Sequence, residues 1–142
     1  MKYLIFIFLF ITICSSCSQP KYEEQIVKIL SNDRPVLDYD SIVIIPRKGC
    51  NSCTKEADNY FQKYKDNDRI LFIFTNLQNL KLLKIQNGYD IVKRNNVLID
   101  TDNKYFINKA PQADYPGMIY WKDDGKPFHE YLLEASRLAI IE

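Results

Sequence analysis

This chain of 142 residues is poor in glycine and histidine, and these shortages exclude several kinds of active site. Its four glycines lie too far apart to form the phosphate cradle of a Rossmann fold or a P-loop. Its single histidine, His129, cannot build an HExxH metal site, and the chain has no GxSxG nucleophile elbow. Most common hydrolase and nucleotide-binding sites are therefore excluded.

The chain also lacks an excess of charge of either sign. Its 19 basic and 18 acidic residues give a net charge of +1, so nothing suggests nucleic acid or an acidic polymer as a partner. A content of 46% hydrophobic and 26% charged residues is typical of a globular domain and argues against disorder. Four cysteines remain as the residues from which chemistry could be built.

The beginning of the chain has the pattern of an export signal. Lys2 is followed by an apolar run over residues 3–13, broken only by Thr12, and then by small residues at 14–16. This run is shorter than the roughly 20 apolar residues that a membrane-spanning helix needs. Residues 1–16 are therefore predicted to be a signal peptide, and a buried N-terminal helix or strand is the alternative.

The junction Cys14-Ser15-Ser16-Cys17 resembles a bacterial lipobox, in which small residues precede a lipidated cysteine that becomes the mature N-terminus. Cys14 stands where lipoboxes usually have leucine. The resemblance implies a diacylglycerol on Cys17 and a second, amide-linked chain, and two chains suffice for stable membrane anchoring. Because Ser18 is not the aspartate that would suggest retention in the inner membrane, the resemblance implies the outer membrane of a bacterial envelope. A soluble secreted protein is the alternative.

The hydrophobic pattern predicts alternating strands and helices after a first helix at Tyr22–Leu30. Continuous apolar runs indicate buried strands, and apolar residues spaced by three and four indicate helices. The predicted elements are a strand at 42–45, a helix from Cys53 to Tyr64, a strand at 70–74, a helix capped by Thr75-Asn76 and ending at Asn87-Gly88, a strand at 97–99, a hairpin of 118–121 and 128–132, and a closing helix at 134–140. This order predicts an α/β fold with a mixed sheet covered by helices on both faces.

Cys50 and Cys53 form a Cys-x-x-Cys pair between the first buried strand and the first long helix. Cys50 is expected at the exposed tip, where the helix N-terminus and the charges of Arg47 and Lys48 favour the nucleophilic thiolate. Cys53 lies on the apolar stripe of the helix and is suited to resolving a mixed disulfide formed at Cys50. A zinc site completed by His129 and a carboxylate, or a structural bridge, are the alternatives.

The Cys pair between strand and helix, the second βα unit and Tyr115-Pro116-Gly117 before the last hairpin together resemble the thioredoxin-like superfamily. The resemblance is to the small exported thiol–disulfide proteins of bacterial envelopes. It implies a three-layer α/β/α sandwich with a central mixed sheet over residues 41–142, with residues 17–40 as a lipidated tether and N-terminal extension. In that family a cis-proline faces the Cys pair, and the residue before it pairs with an extended substrate; here these are Pro116 and Tyr115.

The resemblance implies a membrane-anchored thiol–disulfide oxidoreductase with catalytic Cys50 and Cys53 and no metal or cofactor. Its partners would be protein or small-molecule disulfides or dithiols, an electron donor or acceptor, and the membrane. The sequence departs from the family at Gly49, where tryptophan is common, and at Asn51-Ser52, where Gly-Pro is common. The first strand also lacks the buried acid of many members, for which Glu56 is a candidate substitute. The direction of exchange therefore stays open, and a redox-inactive thioredoxin-like lipoprotein that binds a partner is the alternative.

Overall fold

A computed structural model describes residues 20–49 and 51–133 of the chain. Helices and strands alternate through most of this part. The helices are α1 (Tyr22–Leu30), α2 (Asn51–Tyr64) and α3 (Leu80–Asn87), and the strands are β1 (Ser41–Pro46), β2 (Ile70–Thr75), β3 (Val97–Ile99), β4 (Gly117–Trp121) and β5 (Pro127–Tyr131).

The strands form one five-stranded mixed sheet in the order β3-β2-β1-β4-β5. β1 pairs in parallel with β2, and β2 in parallel with β3. β4 pairs antiparallel with β1 on one side and with β5 on the other. Every residue of β1 and β2 is buried, as expected for strands covered on both faces.

Two hydrophobic clusters cover the two faces of the sheet. On one face, Ile26 and Leu30 of α1 pack against Ile42 and Ile44 of β1. On the other face, α2 and α3 contribute to a cluster that includes the strand residues Val43, Ile45, Phe72 and Phe74, with Ala57, Phe61 and Leu83 from the helices. The protein is therefore an α/β sandwich with a central mixed sheet, compatible with a thioredoxin-like arrangement, and the sequence-based prediction of the fold class is confirmed.

Two details differ from the sequence-based expectation. α3 begins at Leu80, because the Asn79 side chain accepts hydrogen bonds from the backbone N–H groups of Lys81 and Leu82; the predicted cap at Thr75-Asn76 is wrong. In addition, α1 is buried against the sheet, so the N-terminal extension contributes to the core of the domain.

Two predicted segments fall outside the part of the chain that the structure describes. These are the signal peptide at 1–16 and the closing helix at 134–140. Among the described residues, the helices are too short and too polar for any of them to cross a membrane.

Candidate functional site

The candidate site lies where β1 ends and α2 begins. Cys53 lies in the first turn of α2 and is only 9% exposed, in agreement with its predicted place on the apolar stripe. Its sulfur is disulfide-bonded. Cys50, the other predicted catalytic residue, lies outside the described residues, as does Cys17, the predicted lipidation site.

Gly49 brings the chain before Cys50 against the segment that precedes Pro116. Its φ of +133° is in the region that favours glycine, and a Cβ at this position would lie 3.1 Å from the backbone carbonyl oxygen of Asp114. The backbone conformation therefore favours glycine here, and a side chain would also make a tight contact with the Asp114 carbonyl.

Tyr115 and Pro116 lie at the same end of the sheet as Cys53, but their backbone differs from the family expectation. The described residues contain no cis peptide bond, so the Tyr115–Pro116 bond is trans. The Pro116 carbonyl accepts a hydrogen bond of 3.0 Å from the backbone N–H of Leu132. The Tyr115 N–H points back to the Gln112 carbonyl, 3.4 Å away, which is long for a hydrogen bond. The expectation of a cis-proline at Pro116 is thus wrong for this structure.

Cys53, Tyr115 and Pro116 share the wall of one cavity of about 360 Å³, which we call the apolar cavity. Its surface is almost entirely apolar, and the Glu56 carboxylate, one helical turn after Cys53, is its charged group among the described residues. The other described lining residues are Tyr131, Leu132 and Leu133. The structure therefore brings together the predicted resolving cysteine and both predicted substrate-binding residues.

Arg47 does not lend a free positive charge to the Cys pair, contrary to the sequence-based expectation. Its side chain is 7% exposed, and its guanidinium makes two hydrogen bonds to the Asp58 carboxylate, of 2.5 and 3.2 Å. A third hydrogen bond of 2.5 Å runs to the side-chain oxygen of Gln86. The charge of Arg47 is therefore compensated within the fold, whereas Lys48 is exposed.

The Arg47–Asp58 pair borders a second cavity, of about 410 Å³, on another side of the first turn of α2. We call it the polar cavity, since Arg47, Asp58 and Gln86 line it together with Asn51 and Thr54 of that turn. Sequence reasoning missed Asp58. The available signal was its spacing: Asp58 lies two turns after Asn51, on the same side of the helix.

His129 lies in β5, between two tyrosine rings. The rings of Tyr22 and Tyr131 meet it edge-on, with centroids 5.3 and 5.2 Å away. Gly117 leaves the room for it, since a Cβ there would overlap His129 Nε2. Within residues 20–49 and 51–133, no three acidic, His or Cys side chains are grouped closely enough to hold a metal ion. The contacts of His129 described above are therefore with Tyr22, Tyr131 and Gly117.

Comparison of the chain with protein-family models, with curated proteins and with solved structures finds no significant match to any of them.

Proposed function

We propose that this protein is a membrane-anchored thiol–disulfide oxidoreductase that exchanges disulfides through Cys50 and Cys53 in the bacterial cell envelope. The observation that carries the proposal is the setting of Cys53. It is disulfide-bonded in the first turn of a helix that follows a buried strand, and it lines an apolar cavity with Tyr115 and Pro116. A helix N-terminus favours the thiolate, which is the species that attacks a disulfide.

In the reductive direction, the Cys50 thiolate attacks one sulfur of a substrate disulfide. The substrate S–S bond breaks, a mixed disulfide forms, and the released substrate sulfur takes up a proton. The Cys53 thiolate then attacks the Cys50 sulfur and expels the second substrate thiol, so the Cys50–Cys53 dithiol supplies both electrons and ends as a disulfide. Glu56 is available to accept the Cys53 proton. A donor dithiol restores the reduced pair, no cofactor is needed, and the reverse steps oxidise a substrate dithiol.

The apolar cavity is the proposed substrate-binding surface. Tyr115 is 47% exposed at its wall, and its ring meets that of Tyr131 edge-on at 5.9 Å. An apolar wall of this kind would hold the side chains that flank a substrate cysteine. Because the Tyr115 N–H points to Gln112, we assign substrate contact to its side chain.

The anchor in this proposal is lipid on Cys17, with the outer membrane as its location. Since α1 begins at Tyr22 and packs into the core, residues 18–21 alone would separate the lipid from the folded domain. Substrates would therefore be met at the membrane surface.

Titration of the Cys pair in glutathione redox buffers tests the proposal. We use the full chain in detergent with Cys14→Ser and Cys17→Ser, so that Cys50 and Cys53 are the remaining thiols. We expect a two-electron transition, and catalysed exchange with a model peptide disulfide that Cys50→Ser abolishes. Asn59→Ser, an exposed position on the same helix, is the matched control and should leave the rate unchanged. Native exchange rates in Cys50→Ser would refute the mechanism.

A redox-inactive module that binds a partner is the second candidate. The apolar cavity favours this candidate, because an apolar side chain of a partner could occupy the cavity without any disulfide exchange. Cells that express Cys53→Ser separate the two functions. Covalent capture of partners through Cys50 supports the oxidoreductase, since the mixed disulfide can no longer be resolved. Noncovalent capture that is equal in Cys50→Ser and wild type supports the binding module.

A further inference from the structure

The Arg47–Asp58 ion pair, beside the candidate site, is held by several hydrogen bonds. Arg47 lies directly after β1, and Asp58 lies two turns after the first residue of α2, so the pair joins the end of the strand to the middle of the helix. The two hydrogen bonds between them are bidentate, and Gln86 at the end of α3 accepts a further one. The Arg47 backbone N–H also donates to the Thr75 carbonyl, at 2.9 Å.

Stability alone does not explain why an ionic pair occupies this place. The Arg47 and Asp58 side chains are 7% and 22% exposed, so both charges have lost much of their hydration. Apolar residues of similar volume can replace a buried ion pair at little cost or with a gain in stability. A charge pair at this position therefore calls for a role in which charge matters.

We propose that Asp58 is a positioning and charge-compensating residue for the Cys53 disulfide. By holding the guanidinium of Arg47, it ties α2 to the end of β1 and offsets a positive charge that would otherwise act on the sulfurs. The inference rests on the proposed function, since it assigns a regulator to the same redox pair.

The physical argument concerns the reduced form of the pair. A positive charge near the first turn of α2 adds to the helix dipole and stabilises a thiolate. Stabilising the thiolate favours the reduced dithiol and makes the disulfide more oxidising. Arg47 and Asp58 both border the polar cavity together with Asn51 and Thr54, the residues on either side of Ser52-Cys53. The two charges therefore lie beside the turn that carries Cys53, and they should shift the equilibrium between dithiol and disulfide in opposite directions.

Other charged groups surround the same turn and stay constant in the test. Lys48 is exposed, Lys55 is exposed at the wall of the polar cavity, and Glu56 is exposed at the wall of the apolar cavity. Water and salt screen these three charges more strongly than the nearly buried guanidinium. The inference therefore predicts that removing Arg47 or Asp58 changes the dithiol–disulfide equilibrium more than removing one of these three exposed charges.

Single and double variants provide the test, in the full chain with Cys14→Ser and Cys17→Ser. The measured reaction is protein disulfide plus two glutathione giving protein dithiol plus glutathione disulfide. Asp58→Asn should raise its equilibrium constant by about threefold to tenfold, and Arg47→Gln should lower it by a similar factor. The double variant should return to within about twofold of wild type, and Asp58→Glu should stay close to wild type.

Asp66→Asn is the matched control, because Asp66 pairs with Arg94 at 2.8 Å beyond the other end of α2. It removes one negative charge and should leave the equilibrium constant unchanged. Circular dichroism checks that each variant is folded. Shifts of the two single variants in the same direction, or no shift in either, would show that the pair is only structural and would overturn the inference.

A second readout separates this inference from the proposed function. The pH dependence of alkylation of the reduced protein reports the thiol pKa without requiring any catalysis. Asp58→Asn should shift the alkylation profile to lower pH, and Arg47→Gln should shift it to higher pH. If the wild type fails to exchange disulfides but these opposite shifts appear, the proposed function fails and the inference stands. If the wild type exchanges disulfides but both variants keep its alkylation profile, the inference fails and the proposed function stands.

Discussion

The two cavities beside the first turn of α2 are similar in size, but only one of them is lined by many polar and charged side chains. The apolar cavity, of about 360 Å³, has Cys53, Tyr115 and Pro116 in its wall. The polar cavity, of about 410 Å³, is lined by the Arg47–Asp58 pair, by other polar residues and by three leucines. One helical turn therefore borders an apolar environment on one side and a compensated charge pair on the other.

Under the proposed function, this difference predicts a division of roles. An apolar wall can hold a substrate by burial of its side chains, and it leaves the sulfur as the reactive group. The polar cavity adds charged and polar side chains to an apolar part formed by leucines, and its charges act on the same turn through a medium of lower dielectric than water. We therefore expect changes on the apolar side to alter substrate binding, and changes on the polar side to alter stability and redox equilibrium.

The largest expected effect comes from removing one member of the charge pair. Asp58→Ala leaves the Arg47 guanidinium nearly buried without its carboxylate, and we expect a loss of about 2–3 kcal/mol in the free energy of unfolding. Replacing both residues, as Arg47→Met with Asp58→Leu, should recover most of that loss because no buried charge remains. Urea unfolding measures both. A double variant as unstable as Asp58→Ala would contradict this account of the polar cavity.

A smaller effect, on binding rather than stability, is expected on the apolar side. Tyr115→Ala removes an aromatic ring that is 47% exposed at the cavity wall. We expect kcat/KM for a peptide disulfide to fall by about threefold to tenfold, with the loss mainly in KM, and the free energy of unfolding to change by less than about 1 kcal/mol. Tyr89→Ala, at a 69% exposed tyrosine away from both cavities, is the control. Equal effects of the two variants would refute a binding role for Tyr115.

The sequence predicts the fold and the apolar side of the site better than the polar side. Buried strands and the stripe of α2 are local patterns, so Cys53 and the order of elements follow from hydrophobic spacing. The Arg47–Asp58 contact joins residues eleven positions apart, and only the packing of α2 on β1 brings them together. The trans bond at Pro116 and the approach of Gly49 to Asp114 likewise depend on tertiary contacts between distant segments.

The smallest expected effect concerns a contact distant from both cavities, and it tests whether the division of roles is local. The Asp33 carboxylate accepts hydrogen bonds from Lys104 Nζ at 2.7 and 2.5 Å and from the Tyr105 hydroxyl. These hydrogen bonds lower the pKa of Asp33 below its ordinary value of 3.8, and the bond from Lys104 has the largest effect. A lowered pKa in the folded state means that the stabilisation is present above pH 3.8 and is lost as the pH falls through the lower, folded-state value.

Asp33→Asn should therefore reduce the dependence of stability on pH below about 4, while the free energy of unfolding at pH 7 decreases only slightly because the carboxylate is partly solvated. Thermal unfolding between pH 2 and pH 7 measures this dependence. Disulfide exchange at pH 7 should equal that of the wild type, since Asp33 ties the segment after α1 to the segment after β3 and borders neither cavity. A changed exchange equilibrium in Asp33→Asn would show that charges that border neither cavity also act on the sulfurs. The claim that Asp58 acts through its place beside the first turn of α2 would then be refuted.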